Sequence, residues 1–300
     1  MKNSNHQASL MKREKCILCR SRNIFPLFKS LDYTMVKCRN CGLFFYFPQV
    51  SKDKYLKNIQ KHYSEVDPSF GVAYSRKRMY ERFIHQIGHI KRNNTRLLDV
   101  GCGLGYFLSL AKNEGWNVYG IEPNPDIVKK GSQNFRLDIQ CAAFEESNFP
   151  SDYFDVITLW NVFDELFNPS GCILKIRKIL KPSGVLYIRI PNAAFHLFIY
   201  KIQQTLKKLH LTNIMPYQSF IFHIFSFSAK TLKWILSNNG FYNIKIKNSW
   251  PTSGDPYGGK KGVGILKKTA FLIGRFIFIL TWGKQTVAPS IEVFAKNAKT

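Results

Sequence analysis

The sequence predicts an α/β protein: a doubly wound parallel sheet, preceded by a small cysteine-bearing module and carrying a helical cap inserted late in the sheet. Three observations predict it. Between residues 96 and 190 short β-rich runs alternate with helical segments, the order that builds such a sheet. The first run leads into LLDVGCGLGYF (97–107), a strand ending in a glycine-rich loop. Near the N-terminus, four of the seven cysteines stand as two CxxC pairs.

Composition bounds the rest. Three hundred residues exceed the usual single-domain size, so a core domain with appendages is expected. Lys and Arg number 44 against 19 Asp and Glu, which gives a net charge of +25 and a pI near 9.8. Such a surface suits anionic partners: nucleic acid, lipid headgroups or phosphorylated substrates. A proteome-wide bias towards Lys, Asn and Ile gives the same numbers. The polar start MKNSNHQASLMKREKC has no apolar h-region, so the chain is read as cytoplasmic, where paired cysteines point to metal rather than disulfides. No run reaches the roughly 18 apolar residues of a spanning helix. The nearest, TAFLIGRFIFILTW (269–282), carries Arg275 in its middle.

Taken in order, residues 1–50 hold the cysteine module and 51–94 form a connector with a helix over SRKRMYERFIHQIGHI (75–90). Residues 95–192 are the sheet core. Strands are expected at RLLDV, WNVYGIE, RLDIQ, FDVITLW and GVLYIRI, with helices between them. The cap, 193–226, opens with a basic amphipathic helix. Phe195, Phe198, Ile199, Ile202, Leu206 and Leu209 fall at helical spacing, with Lys201, Gln203, Lys207 and Lys208 opposite. Residues 227–300 resume the sheet. Ser228 is read as an N-cap, Leu232, Ile235 and Leu236 as a buried face, and Gly240 as a stop. FYNIKIKN and SIEVFAK are strands, and between them 269–282 is read either as a buried helix or as an interfacial one.

The glycine loop fixes the ligand class. A dinucleotide fingerprint needs GxGxxG, but Tyr106 and Leu108 stand where the third glycine falls in the two registers. The loop is GxGxG: Gly101, Gly103 and Gly105 let the backbone pass close to a ligand. Asp99 ends the strand within reach of a ligand amino group. Glu122 ends the next strand, seventeen residues after Gly105, where a carboxylate accepts from both ribose hydroxyls.

The stretch LLDVGCGLGYF…VYGIEPN…FPSDYFDVITLWNVFDEL…IRKILKPSGVLYIRIPN resembles the core of class I S-adenosylmethionine-dependent methyltransferases. That resemblance implies a Rossmann-like methyltransferase sheet and S-adenosylmethionine as cofactor. Asp99, Gly101, Gly103 and Gly105 then line its loop, Glu122 holds the ribose, and Trp160 and Asn161 lie near the sulfonium. Two departures stand out. The acid that follows the third strand in many relatives is replaced at Ala143 or Phe144, leaving adenine to backbone groups or Glu145. Where relatives often show Glu-His after the fourth strand, this chain has Asp164 and Glu165.

Cys16, Cys19, Cys38 and Cys41 form CxxC-x18-CxxC, the spacing of a structural Zn2+ ribbon whose four positions are all taken by protein. Gly42 suits the second knuckle; Arg20 replaces glycine at the first. A zinc ribbon ahead of the methyltransferase core resembles a subgroup that modifies sugars, polysaccharide precursors or small metabolites. RNA methyltransferases with N-terminal zinc modules are the second comparison.

The acceptor is expected to be a small molecule or saccharide, free or linked to a nucleotide or lipid; peripheral membrane attachment through the basic cap face or 267–284 is the alternative to a lid and a buried helix there. Nucleic acid ranks second, because Lys and Arg are scattered and no RNA-binding module is recognisable. A non-catalytic binding module is the remaining alternative. A hydroxyl or acidic carbon acceptor needs a base, and His223, Tyr217 and His196 are the candidates, His223 first.

Overall fold

The computed structural model describes residues 15–30, 33–48, 51, 75–210, 224–250, 252, 263–281 and 286–298. Three short antiparallel strands come first: β1 (Ile24–Ser30), β2 (Tyr33–Cys38) and β3 (Phe44–Phe47). Helix α1 (Lys77–Ile87) leads into the alternating core: β4 (Arg96–Val100), α2 (Tyr106–Asn113), β5 (Asn117–Glu122), α3 (Pro125–Phe135), β6 (Ile139–Cys141), β7 (Phe154–Trp160), α4 (Pro169–Ile179) and β8 (Leu180–Pro191). Then follow α5 (Ala193–Lys208), β9 (Phe225–Ser226), α6 (Ala229–Ser237), β10 (Phe241–Asn248), α7 (Val263–Leu280) and β11 (Ser290–Asn297).

The large sheet has the order β10-β11-β8-β7-β4-β5-β6. The pairs β7–β8, β4–β7, β4–β5 and β5–β6 are parallel, and β11 runs antiparallel to both β8 and β10. The α/β architecture expected from the alternation is the one observed. Strand β6 begins three residues later than RLDIQ suggests, because Arg136 closes α3 in the left-handed conformation. Local chemistry explains the helix starts. Asn124 accepts from the amides of Asp126 and Ile127, Asn168 from Gly171, Asn192 from Ala194 and Ser228 from Thr231, with Pro125 and Pro169 at first helical positions. Gly240, at φ +76°, turns the chain after α6.

Alternation along the strands assigns the two faces. Leu98, Val100, Ile157, Leu159, Leu186, Ile188, Ile190, Ile291 and Val293 pack with α4 and α6 in one apolar cluster. Leu97, Val156, Trp160, Val185 and Tyr187 pack with α1 and α2 in the other. Asp99, Thr158, Arg189 and Glu292 share the parity of this second set, so these four buried polar residues gather on the α1–α2 face.

The cysteine module is built into the molecule. Its three strands gain a fourth from the far side of the cap, with Phe44 opposite Ser226 and Phe45 opposite Phe225. Cys16, Leu18, Val36, Leu43, Phe45 and Phe47 join the same cluster as the α4–α6 face of the large sheet. On the other side Met35 and Phe44 pack on Ala193 of α5, and Phe28 meets Tyr200 with ring centroids 4.6 Å apart. The apolar stripe expected on α5 is thus only partly covered: Phe198 and Leu209 are exposed. Segment 269–282 is, on its described side chains, not wholly buried either. Leu272, Ile273, Phe276, Ile279 and Leu280 all face solvent.

Candidate active site

The glycine loop leaves the end of β4 with all three glycines in the left-handed region, at φ +67°, +55° and +77°. They are not equivalent. A Cβ on Gly101 would sit 2.6 Å from Val162 Cγ2, and one on Gly105 2.6 Å from Leu137 Cδ1, whereas one on Gly103 meets nothing within 4 Å. Gly101 and Gly105 therefore let protein pack against the loop, while Gly103 fronts open space that a ligand would fill. The amides of Gly101 and Cys102 both donate to Ile121 O, which ties the loop to the end of β5.

Two carboxylates border that space. Glu122 accepts from the Gly103 amide on Oε2 (3.1 Å) and from the Asn124 amide on Oε1 (3.2 Å), leaving each oxygen further lone-pair capacity. Burial pushes its pKa up. Asp99 is 2% exposed and accepts from Thr158 Oγ1 at 2.6 Å. Burial pushes its carboxyl up to about 8, the Thr158 hydroxyl pulls it down, Glu122 raises it and Arg76 lowers it. A buried acid with its pKa raised this far, beside a glycine loop, is a candidate for binding a cationic ligand group.

The strand register places a second row beside them. Trp160 stands opposite Arg189, and Arg189 opposite Glu292. Arg189 is buried, with Nη1 donating to Asn161 Oδ1 at 2.6 Å and Nε to Ser249 Oγ at 2.8 Å. Asn161, at φ +58°, also donates its amide to Arg189 O. Trp160 lies among Tyr80, Phe83, Phe107 and Tyr187, with centroids 4.5–5.4 Å away. Its indole Nε1 is buried and has no hydrogen-bond partner among the described residues. Arg76, just before α1, lowers the Asp99 pKa electrostatically and hydrogen-bonds Tyr80, whose own pKa burial and then Asp99 push up.

The structure therefore gathers Asp99, Gly101, Gly103, Gly105, Glu122, Trp160 and Asn161 at one edge of the sheet. His196 lies elsewhere: buried, with Nε2 donating to Pro289 O at 3.0 Å, it fastens α5 to the segment before β11. Tyr217 and His223 lie outside the described residues. Glu145 is engaged by α4, its Oε1 accepting from the Phe167 amide and the Cys172 thiol, and Phe144 is core. Sequence reasoning missed Thr158 and Arg189. The available signal was a polar residue inside the otherwise apolar parallel strands FDVITLW and GVLYIRI, which must find a buried partner.

A methyltransferase-domain family profile matches residues 72–246, more than half of the chain. The chain belongs to this family. It is a class I S-adenosylmethionine-dependent methyltransferase. This methyltransferase is 24% identical over 186 residues, 58% of its own chain and 77% of the relative, to a ubiquinone biosynthesis O-methyltransferase of Coxiella burnetii. It is 33% identical over 101 residues, 31% of each chain, to the 2-methyl-6-phytyl-1,4-hydroquinone methyltransferase of Synechocystis sp.. In fold it is similar to a chain from the complex of the Haloferax volcanii Trm112 methyltransferase activator with a methyltransferase. There the TM-score is 0.50 at 14% identity, over 77% of this chain and 96% of that one.

The four module cysteines of the methyltransferase also come together. Cys16 and Cys41 sulfurs are 3.6 Å apart, Cys19 and Cys38 3.5 Å, and all four lie within 4.8 Å of one another. A tetrahedral Zn2+ with Zn–S near 2.3 Å sets its ligands about 3.8 Å apart, so the set fits that ion. Both knuckles have the same backbone: Arg20 donates its amide to Cys16 O and Gly42 to Cys38 O, with φ +59° and +83°. Arg20 thus adopts the glycine conformation its position demands.

Proposed function

We propose that this methyltransferase O-methylates a small aromatic acceptor of the quinol type that carries an apolar tail. The observation that carries the reading is the buried Trp160 N–H, unpartnered among the described residues, in an aromatic wall beside Asp99. The rings fix the indole in place, and its free donor suits a ring oxygen or a cofactor carboxylate. The names of the Coxiella and Synechocystis relatives, a ubiquinone O-methyltransferase and a phytyl-hydroquinone methyltransferase, support a small acceptor of this class. Neither name refers to a saccharide, the acceptor that the zinc-module resemblance suggested.

S-Adenosylmethionine supplies a methyl group already activated on sulfonium, so the protein's task is alignment, which contributes roughly 7–11 kcal/mol. Glu122, its orientation set by the Gly103 and Asn124 amides, accepts from the ribose hydroxyls. Asp99 takes the amino group, and Gly103 leaves room for the methionine backbone. Arg189 holds Asn161 in its left-handed turn and so sets the loop after β7. A hydroxyl acceptor gives up its proton to a base, for which His223 and then Tyr217 remain the candidates. The module cysteines hold Zn2+ in a structural role.

Calorimetric titration with S-adenosylhomocysteine, with NADH as control, tests the cofactor half; micromolar binding of the first alone is expected. Transfer of labelled methyl to short-tailed hydroquinones tests the acceptor half. Cofactor binding with no transfer to any hydroquinone, but transfer to a nucleotide sugar or RNA, would replace the acceptor reading.

A further inference from the structure

The charge of this chain is unevenly placed. Residues 166–300 hold 20 of the 44 Lys and Arg but only two of the 19 acids, Asp255 and Glu292, and so carry +18 of the net +25. Glu292 is buried on the sheet. Among the described residues this half therefore presents no acidic side chain to solvent.

The same half bears an exposed apolar face. Helix α7 is held by one side. A Cβ on Gly274 would come within 3.3 Å of the backbone of Val287 and Ala288, and Gly274 O accepts from Asn248 Nδ2 at 2.9 Å. At 100° per residue, positions 272, 273, 276, 279 and 280 fall in one arc opposite Gly274. Leu272, Ile273, Phe276, Ile279 and Leu280 occupy them, each 61–64% exposed. The exposed Arg275 stands at the margin of this stripe. In sequence Lys267 and Lys268 precede it, and Lys284 follows. An exposed apolar patch of this kind marks an interaction surface, and no described helix is long and apolar enough to cross a membrane.

We propose that α7 is an interfacial helix that lays the Leu272–Leu280 face into an anionic lipid surface. An apolar stripe with basic margins and no acids is what such a surface selects. Charge argues against a second copy as the occupant, since an isologous contact would press two strongly cationic halves and two Arg275 side chains together. Topology adds a consequence. Helix α7 follows the C-terminal end of β10, and β10 runs parallel to β4 through β11, β8 and β7. The helix thus stands at the same sheet edge as the glycine loop, four strand spacings or about 19 Å along it. Docking would turn the acceptor side of the enzyme to the bilayer. The surface is inferred independently of the acceptor's identity.

Flotation of the full chain with vesicles tests this. The protein should rise with vesicles containing phosphatidylglycerol, stay below with phosphatidylcholine alone, and lose attachment as salt increases. The double variant Phe276→Asp, Ile279→Asp should lower the bound fraction about tenfold or more, with melting midpoint and S-adenosylhomocysteine binding unchanged. Arg275→Glu, a milder change, should weaken attachment at low salt only. Failure to rise with anionic vesicles, equal attachment of the variants, or a wild-type dimer that Phe276→Asp disperses would each overturn the proposal. A wild type that floats but binds no S-adenosylhomocysteine would instead fault the cofactor site and leave this surface standing.

Discussion

Asp99 shows how burial turns a motif residue into a pH-dependent one. An unfolded Asp releases its proton near 3.8, whereas Asp99 in the folded chain holds it to about 8, chiefly because it is buried. Between those values the folded state binds more protons, so Asp99's contribution to the stability of the cofactor-free protein falls as pH rises. A cationic ligand group favours the ionised form, so binding near neutral pH should release a proton. Titrations of S-adenosylhomocysteine in buffers of different ionisation enthalpy should differ in heat, and that difference should vanish in Asp99→Asn. Identical heats in the wild type would remove Asp99 from the binding site. Glu122→Ala should weaken the same ligand by about tenfold or more, because a charge-assisted hydrogen bond contributes roughly 1.5–3 kcal/mol. At this scale the sequence was legible where spacing carried meaning, as at Asp99, Glu122 and the glycines. Thr158 and Arg189 were not, since their partners Asp99, Asn161 and Ser249 are set by register and chain crossing rather than by neighbours in sequence.

Among elements, the glycine loop makes the sharpest claim. Gly103→Ala meets no protein atom and should cost only about 1 kcal/mol for its left-handed backbone, yet its methyl group enters the ligand space. The variant should melt near the wild type and lose S-adenosylhomocysteine binding. Gly105→Ala drives a methyl into Leu137 and should cost about 1–3 kcal/mol more through overpacking. A Gly103→Ala protein that binds normally would mean the open space is not where the cofactor lies. The caps at Asn124, Asn168 and Asn192 act over three or four residues and explain why helix starts follow so closely from sequence. Helix α7 is the opposite case. Its many apolar residues in sequence fall almost all round the helix, with Arg275 the one charge among residues 269–280, so periodicity does not orient it; Gly274 against Val287 and Ala288 does.

Over the whole molecule, the cysteine module is a layer rather than an appendage. One side of its sheet joins the core cluster, the other carries α5, and its last strand comes from the far end of the cap. Gly42 even approaches α6, where a Cβ would lie 3.1 Å from Thr231 Oγ1. Loss of the proposed Zn2+ should therefore be felt throughout. Cys38→Ser should abolish a stoichiometric zinc signal, and calorimetry should show the main transition lowered as one event, not an early module melt ahead of an unchanged core. Two well-separated transitions in the wild type would refute this coupling.

What the sequence determined by itself is what local order encodes. Strand–helix alternation set the sheet, GxGxG excluded a dinucleotide loop and pointed to a methyl donor, and two CxxC pairs announced a four-thiolate site. Tertiary structure alone decided which polar side chains meet beneath α1 and α2, that the cysteine module is clamped between core and α5, and which side of α7 looks outwards. Those outcomes depend on contacts between residues tens to hundreds of positions apart. Their free energy comes from shared burial and register, and no short window of sequence contains either partner's environment.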